Sequence, residues 1–300
     1  MTGAVAAIDC GTNSTRLLIV DGSGATVDRR MLITRMGDGV DRSHRLSPDA
    51  IDRTLAALSE YGQAMQAQGV GRRRAVATSA ARDAENREEF FAGAEQVIGV
   101  RPELLSGQEE GALSYAGATR ELDPSAGPYL VLDIGGGSTE LVLGERAVSL
   151  DVGCVRLSER FFHADPPRAD QLKAAREQTG GLLETARARL GDPGRGRRLI
   201  GLAGTVSTAA MIDAGIVIYR REEVHHRVLR REAVRRILAS LAGMDHDQRA
   251  AIPGLEPGRV DVILGGLLIL LTVMEGFDFE DCLVSESDIL DGIAAGLRTS

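Results

Sequence analysis

A nine-residue pattern occurs twice in this chain, 124 residues apart, and this internal repeat constrains the fold more than any other feature. Residues 9–17 align without a gap with residues 133–141. The identical pairs are Asp9 and Asp133, Gly11 and Gly135, Ser14 and Ser138, Thr15 and Thr139, and Leu17 and Leu141. Apolar runs flank each copy, which is typical of a strand, a tight turn and a second strand. A repeat at this distance predicts two related domains, because the repeats of a solenoid are much shorter.

The turn of the second copy consists of three consecutive glycines, residues 135–137, followed by Ser138. Without Cβ atoms, its backbone N–H groups are accessible to an anion. Asp133 and Glu140 flank this turn, and two carboxylates beside a phosphate need a cation between them. Hard cations such as Mg2+ take oxygen ligands. The alternative is an ordinary hairpin with a flexible turn, and the second copy of the pattern argues against it.

One aligned pair differs in charge, because Arg16 in the first copy corresponds to Glu140 in the second. Residues two apart in a strand share a face, so Ser14 lies beside Arg16 and Ser138 lies beside Glu140. We expect the two hairpins to face each other across a cleft. One hairpin then brings a cation and the other a metal-binding carboxylate.

Composition excludes several classes of protein. The 300 residues suit two domains of about 150 residues each. A net charge of −8 argues against a nucleic-acid-binding protein. The most apolar window, residues 260–274, is too short for a membrane span and contains Asp261. No basic, cleavable leader is visible, and the three cysteines have no metal-type spacing, so we expect a cytoplasmic protein with buried, reduced thiols.

Strands and helices alternate through both halves, which predicts α/β packing. The turn-rich stretch 123–128 precedes the second repeat and marks a domain boundary. The predicted domains are therefore residues 1–123 and 124–300, with the last helix expected to pack back on the first domain. Ser47 followed by Pro48 predicts the start of a long helix.

The two turns and their carboxylates favour phosphate chemistry, in which a protein mainly positions groups and neutralises charge. The metal-binding candidates are Asp133 and Glu140, with Asp9 as the matched third carboxylate. The phosphate-binding candidates are the backbone N–H groups of Gly11, Thr12, Asn13, Ser14, Gly135, Gly136, Gly137 and Ser138, and the side chain of Arg82. For Arg82, which follows a strand, an ordinary surface arginine is the alternative.

Hydrolysis also requires a base. Glu109 and Glu110 open a helix, where carboxylates are favoured by the dipole alone, so their position does not identify either as a base. The pair His225-His226 lies in a basic stretch with no nearby partner that suggests a metal site or a triad.

Four motifs, in order along the chain, resemble those of the exopolyphosphatase/guanosine pentaphosphate phosphatase (Ppx/GppA) family. They are Asp9 to Ser14, Thr78 to Asn86, Ser106 to Glu110, and Asp133 to Glu140. Similar segments at 153–157, 201–205 and 257–261 extend the resemblance over nearly the whole chain. The paired turns are similar to those of the actin-like ATPase superfold. The resemblance implies two actin-like (ribonuclease H-like) α/β domains, each a five-stranded mixed sheet flanked by helices, with the active site in the inter-domain cleft.

The resemblance also implies a reaction. It is the hydrolysis of a terminal phosphoanhydride of inorganic polyphosphate, with Mg2+ or another divalent cation, and pppGpp is the alternative substrate. In this family's pattern Glu110 corresponds to the catalytic base, Asp133 and Glu140 to metal-binding residues, and Arg82 to a phosphate contact. A homodimer is left open as the assembly.

Two features depart from the family pattern. Long members carry a helical C-terminal extension, so this chain resembles the short two-domain form. Leu290 stands where the motif at 285–292 usually has arginine, which leaves open how well long polyphosphate is held. The competing functions are a non-catalytic polyphosphate or nucleotide sensor and an actin-like ATPase or kinase. The motif from Ser106 to Glu110 argues against both.

Overall fold

The computed structural model of this chain describes residues 3–191 and 197–299. It contains two compact units, of which the second is Ala118–Ser287. The first comprises the residues up to Gly117 together with those from Asp288 onward. The domain limits 1–123 and 124–300 stay a prediction.

The first unit is built on a mixed sheet of five strands. These strands are β1 (Val5–Cys10), β2 (Ser14–Val20), β3 (Thr26–Ile33), β4 (Arg72–Ala77) and β5 (Glu103–Leu104). Their order is β3-β2-β1-β4-β5, with β1 antiparallel to β2 and parallel to β4. Every residue of β1 is buried, as a central strand covered on both faces requires. The five-stranded mixed sheet predicted for the first domain is confirmed.

Helices α1 to α5 follow and interleave with these strands. They are α1 (Val40–Ser43), α2 (Pro48–Ala67), α3 (Ser79–Asp83), α4 (Arg87–Ile98) and α5 (Gly107–Thr119). The start of α2 is as predicted, because the Ser47 side chain accepts a hydrogen bond from the N–H of Ala50 at 3.2 Å. The buried stripe of α2, which includes Leu58 and Met65, joins Ile8 of β1 in one apolar cluster.

The second unit is built on a sheet of six strands. They are β6 (Leu130–Ile134), β7 (Thr139–Leu143), β8 (Arg146–Leu150), β9 (Leu199–Leu202), β10 (Val228–Arg230) and β11 (Asp281–Val284). Their order is β10-β11-β9-β6-β7-β8. The prediction of five strands was wrong for this unit, because it omitted β10. That strand has only three residues, and its antiparallel pairing of Leu229 with Cys282 joins segments distant in sequence.

Seven α-helices accompany this sheet in the part of the unit that the structure describes. They are α6 (Cys154–Phe161), α7 (Ala169–Leu190), α8 (Ala203–Ala214), α9 (Arg221–Val224), α10 (Arg231–Ala242), α11 (His246–Ala250) and α12 (Ile263–Gly276). The apolar helix α12 is buried over most of its length. A Cβ on Gly265 would lie 2.7 Å from the carbonyl oxygen of Cys154, and one on Gly266 would lie 2.1 Å from Oγ1 of Thr205. The two glycines therefore permit close helix packing. No helix in the described ranges is both long and apolar enough to cross a membrane.

The last helix, α13 (Ile289–Thr299), covers the face of the first unit's sheet opposite α2. Ile289, Leu290 and Ile293 pack there with Val5 and Ala7 of β1. Leu290 is only 1% exposed, so the residue that replaces the family's arginine is a core side chain.

Candidate active site

The two glycine turns have the same closure. The N–H of Gly11 donates to the carbonyl of Ser14, and the N–H of Gly135 donates to the carbonyl of Ser138, both at 3.0 Å. Each turn joins an antiparallel pair, β1 with β2 and β6 with β7. The repeat found in the sequence is therefore also a repeat of backbone structure.

In the second unit, N–H groups of α6 bind the carbonyl oxygens of the glycine turn. The N–H of Cys154 donates to Gly135 at 2.9 Å, and those of Val155 and Arg156 donate to Gly136 at 2.9 and 3.1 Å. These donors are in the first turn of α6, where N–H groups have no partner within the helix. The helix start thus binds the turn instead of leaving its own donors unsatisfied.

The first unit holds its turn in the same way, with the segment after β3. Thr34 and Arg35 donate their N–H groups to the carbonyl of Asn13 at 3.1 and 3.0 Å, and Gly37 donates to the carbonyl of Thr12 at 2.8 Å. The N–H of Ala80 in α3 donates to Oγ1 of Thr12 at 3.2 Å, which brings α3 against this turn.

Two amides remain available in each turn, whereas the N–H groups of the predicted phosphate-binding residues Gly11 and Gly135 close the turns instead. Within residues 3–191 and 197–299, the N–H groups of Thr12, Asn13, Gly136 and Gly137 donate no hydrogen bond. In a trans peptide, C=O and N–H point in opposite directions, so a carbonyl bound by the protein turns the next N–H away from that contact. Successive outward N–H groups form an anion-binding concavity. The available N–H groups are at matched positions in the two turns, whereas the bound carbonyls are those of Thr12 and Asn13 in the first turn and of Gly135 and Gly136 in the second.

Two carboxylates lie directly opposite each other on the second hairpin. Asp133 of β6 is the cross-strand partner of Glu140 of β7. They are 8% and 1% exposed, and Oε1 of Glu140 accepts a hydrogen bond from the Ser149 hydroxyl at 2.8 Å. Like charges directly opposite in a sheet are unfavourable, and a hard divalent cation removes that cost by accepting both as oxygen ligands. The chemistry of this donor set fits Mg2+.

The matching carboxylate of the first hairpin, Asp9, faces Arg16 across the strands. Arg16 donates to Oδ2 of Asp9 at 2.6 Å. Oδ1 of Asp9 is buried and accepts no hydrogen bond within the described part of the chain. Burial raises the pKa of Asp9 above its usual value, and the charge of Arg16 opposes this only in part. An orphaned carboxylate oxygen is consistent with the third metal-binding candidate.

Glu109 and Glu110, adjacent in sequence, have different environments. Glu109 accepts hydrogen bonds from the N–H and hydroxyl of Ser106 at 2.8 and 2.7 Å, which forms a capping box and lowers its pKa. Glu110 is 8% exposed, and its Oε2 accepts from Arg82 at 2.8 Å. The same nitrogen of Arg82 donates to the carbonyl of Leu105. Arg82 is therefore not an ordinary surface arginine, because it pairs with the predicted base.

The histidine pair has a partner that was not apparent in the sequence. Glu121, His225 and His226 place their potential ligand atoms within 4.8 Å of one another. However, Nδ1 of His225 accepts the N–H of Glu286 at 3.0 Å, so its proton lies on Nε2 and faces Glu121 at 3.1 Å. A metal needs a lone pair on Nε2, which here carries the proton. These contacts are therefore a chain of hydrogen bonds and not a metal site.

Sequence reasoning did not identify Gly153 or Gly37 as parts of the site. A Cβ on Gly153 would lie 2.4 Å from the carbonyl carbon and oxygen of Gly136, so only glycine allows α6 to approach the turn. Gly153 begins one of the segments that carry the family resemblance. Its position after β8, matched by Gly37 after β3, is the signal from which its role could have been inferred.

Two mixed sheets flanked by helices, each with a glycine turn between its first two strands, define the actin-like ATPase fold. Within this class the chain belongs to the Ppx/GppA phosphatase family, whose model matches residues 18–297. It is 42% identical to Exopolyphosphatase 2 of Mycobacterium tuberculosis, over 98% of both chains. The crystal structure of an exopolyphosphatase-like protein is 35% identical, with a TM-score of 0.93 over 97% of this chain and 98% of that one. An Aquifex aeolicus PPX-GPPA enzyme is 31% identical, with a TM-score of 0.81 over 98% and 99%.

Proposed function

We propose that this protein is an exopolyphosphatase, which releases terminal orthophosphate from inorganic polyphosphate by hydrolysis. The observation that carries this proposal is the buried ion pair of Glu110 with Arg82, because Arg82 belongs to a helix that contacts the first glycine turn. A protein that only bound polyphosphate would not need a buried carboxylate there. The names of the relatives at 42% and 35% identity support the same substrate.

The backbone amides and Arg82 bind the phosphate. In the first unit the outward N–H groups of Thr12 and Asn13 donate to phosphate oxygens, and Arg82 adds a charged donor. In the second unit the outward N–H groups of Gly136 and Gly137 are the phosphate donors. Donors that are already oriented before the reaction stabilise the charge of the transferring phosphoryl group without reorganisation. The same contacts position the terminal group for attack by water.

Glu110 acts as the general base in this proposal. Its carboxylate accepts a proton from the attacking water as the new P–O bond forms and the bridging P–O bond breaks. The shortened chain leaves with the negative charge of the bridging oxygen. Asp133 and Glu140 would hold Mg2+ in the second unit, and Asp9 is the third candidate, in the first unit; Mg2+ would supply neutralisation of phosphate charge.

Phosphate release by the purified protein tests this proposal. We expect Mg2+-dependent phosphate release from short and long polyphosphate and little from ATP. Hydrolysis of pppGpp is assayed separately, because its terminal bond is also a phosphoanhydride. The Glu110→Gln variant is the matched control for contaminating phosphatase. Turnover of ATP that exceeds polyphosphate hydrolysis, or equal activity of the variant, would refute the assignment.

We also propose a cytoplasmic location. Cys10, Cys154 and Cys282 are buried and unpaired by disulfides, as expected for a protein of a reducing compartment. Fractionation of the native host with antibody detection tests this point, and recovery outside the cytoplasm would refute it.

A further inference from the structure

Five charged side chains of alternating sign connect the first glycine turn with the start of α13. In order they are Asp9, Arg16, Asp288, Arg29 and Asp291, all in the first unit. Arg16 donates from Nη2 to Asp9 at 2.6 Å and from Nη1 to Oδ2 of Asp288 at 2.5 Å. The side chains are 3–22% exposed, so solvent screens these charges far less than charges on the surface.

Arg16 contacts only one oxygen of Asp9. Its Nε and Nη2 both donate to Oδ2, at 3.0 and 2.6 Å, and Oδ1 accepts nothing within the described residues. A guanidinium and a carboxylate often pair instead through two parallel hydrogen bonds, one to each oxygen. The observed geometry therefore needs a second anchor for the guanidinium, and Asp288 supplies it at Nη1.

Asp288 is itself firmly placed. Its Oδ1 accepts the N–H of Leu290 at 2.9 Å, and its own N–H donates to Oδ2 of Asp291 at 2.9 Å, so both carboxylates cap the start of α13. Ile289 and Ile293 of that helix are buried against the sheet. The apolar contacts of α13 thus determine where the Asp288 carboxylate lies, and through Arg16 they determine which oxygen of Asp9 is available.

We propose that Asp288 is a positioning residue for cation binding at the first turn. By holding the guanidinium of Arg16, it restricts Arg16 to Oδ2 of Asp9 and reserves Oδ1 for a divalent cation or for water bound to it. This inference rests on the proposed function, because it takes Asp9 as a cation-binding residue.

Metal binding without substrate tests the inference. Asp288→Asn keeps the cap acceptor for Leu290 but presents an amide donor to Arg16, so the guanidinium is expected to rotate onto both oxygens of Asp9. We expect Mn2+, measured by electron paramagnetic resonance on the substrate-free protein, to bind about tenfold more weakly, as for loss of an outer-shell partner. Asp291→Asn removes the same charge further from Asp9 and is expected to change the dissociation constant less than about twofold, outside the outer-shell range.

A double variant distinguishes positioning from a structural effect. In Arg16→Gln/Asp288→Asn no guanidinium remains to occupy Oδ1, so Mn2+ affinity should return towards the wild-type value. A purely structural role predicts instead that the losses of Mn2+ affinity in Arg16→Gln and in Asp288→Asn, each measured alone, add in the double variant. The inference is overturned by wild-type affinity in Asp288→Asn, by equal weakening in Asp291→Asn, or by additive loss in the double variant. Because no substrate is present, these results are independent of whether the protein hydrolyses polyphosphate.

Discussion

Replacing Gly153 by alanine is the most direct perturbation of the second glycine turn. The added Cβ would lie 2.4 Å from the carbonyl carbon and oxygen of Gly136 and 2.6 Å from the nitrogen of Gly137. Non-bonded carbon atoms pack at about 3.5–4.0 Å, so the two backbones must separate by about 1 Å. Gly153 has φ −140° and ψ 171°, an extended conformation that alanine adopts freely. The substitution therefore introduces no backbone strain, and the steric contact is its main effect.

Both sides of the contact are backbone, so no side chain can rotate away to relieve it. Separation weakens the hydrogen bonds from Cys154 and Val155 to the turn, which orient the N–H groups of Gly136 and Gly137. A displacement of 1 Å at a substrate-positioning group can cost about 10²-fold in rate. We expect kcat/KM for polyphosphate to fall by about that factor, and the free energy of unfolding by about 1–3 kcal/mol for overpacking.

The assay is phosphate release at saturating Mg2+, at a temperature where urea and thermal melts show the variant folded. Gly181→Ala is the control, because the residue is inside α7 and no atom beyond its chain neighbours and the backbone of that helix lies within 4 Å of the added Cβ. Alanine there should stabilise the protein by about 0.5–1 kcal/mol and leave kcat/KM unchanged. If Gly153→Ala retains wild-type kcat/KM, the carbonyl contacts of α6 do not orient a functional turn.

Three further outcomes are expected. Glu110→Gln should lower kcat by about 10²–10⁴-fold through loss of the base. Glu109→Gln keeps the capping box and should change kcat little. Equal losses of kcat in steady-state assays would show that Glu110 is not the base. Asp133→Asn and Glu140→Gln should each raise the Mg2+ concentration for half-maximal activity by about tenfold or more, as ligand loss exceeds loss of an outer-shell partner, and an unchanged Mg2+ titration would exclude them as ligands. Burial raises the pKa of all three cysteine thiols, that of Cys154 to about 11. Iodoacetamide at pH 8 should therefore label no thiol in the native protein and three in urea. Rapid labelling of the native protein would show that a thiol is accessible and contradict this prediction.

Much of this fold could be read from local patterns. The matched turns, the buried central strand β1 and the cap at Ser47 each depend on residues close together in sequence. Strand β10 was missed because its three residues carry no periodic signal and pair with β11, about fifty residues away. Local pattern predicts an element well when the element's own residues supply its stabilisation, and poorly when the partner does.

The sequence by itself determined which groups are present: two glycine turns, a carboxylate at the start of each, and a family motif that contains Glu110. Only the tertiary structure decided how these groups are held. Arg82 meets Glu110, and Asp288 meets Arg16 across 272 residues of sequence, because sheet pairing and the packing of α13 bring them together. Likewise, the N–H groups of the second turn face outward because α6 occupies its carbonyls. Hydrogen bonds and ion pairs of this kind depend on distance in space, which the order of residues along the chain does not specify.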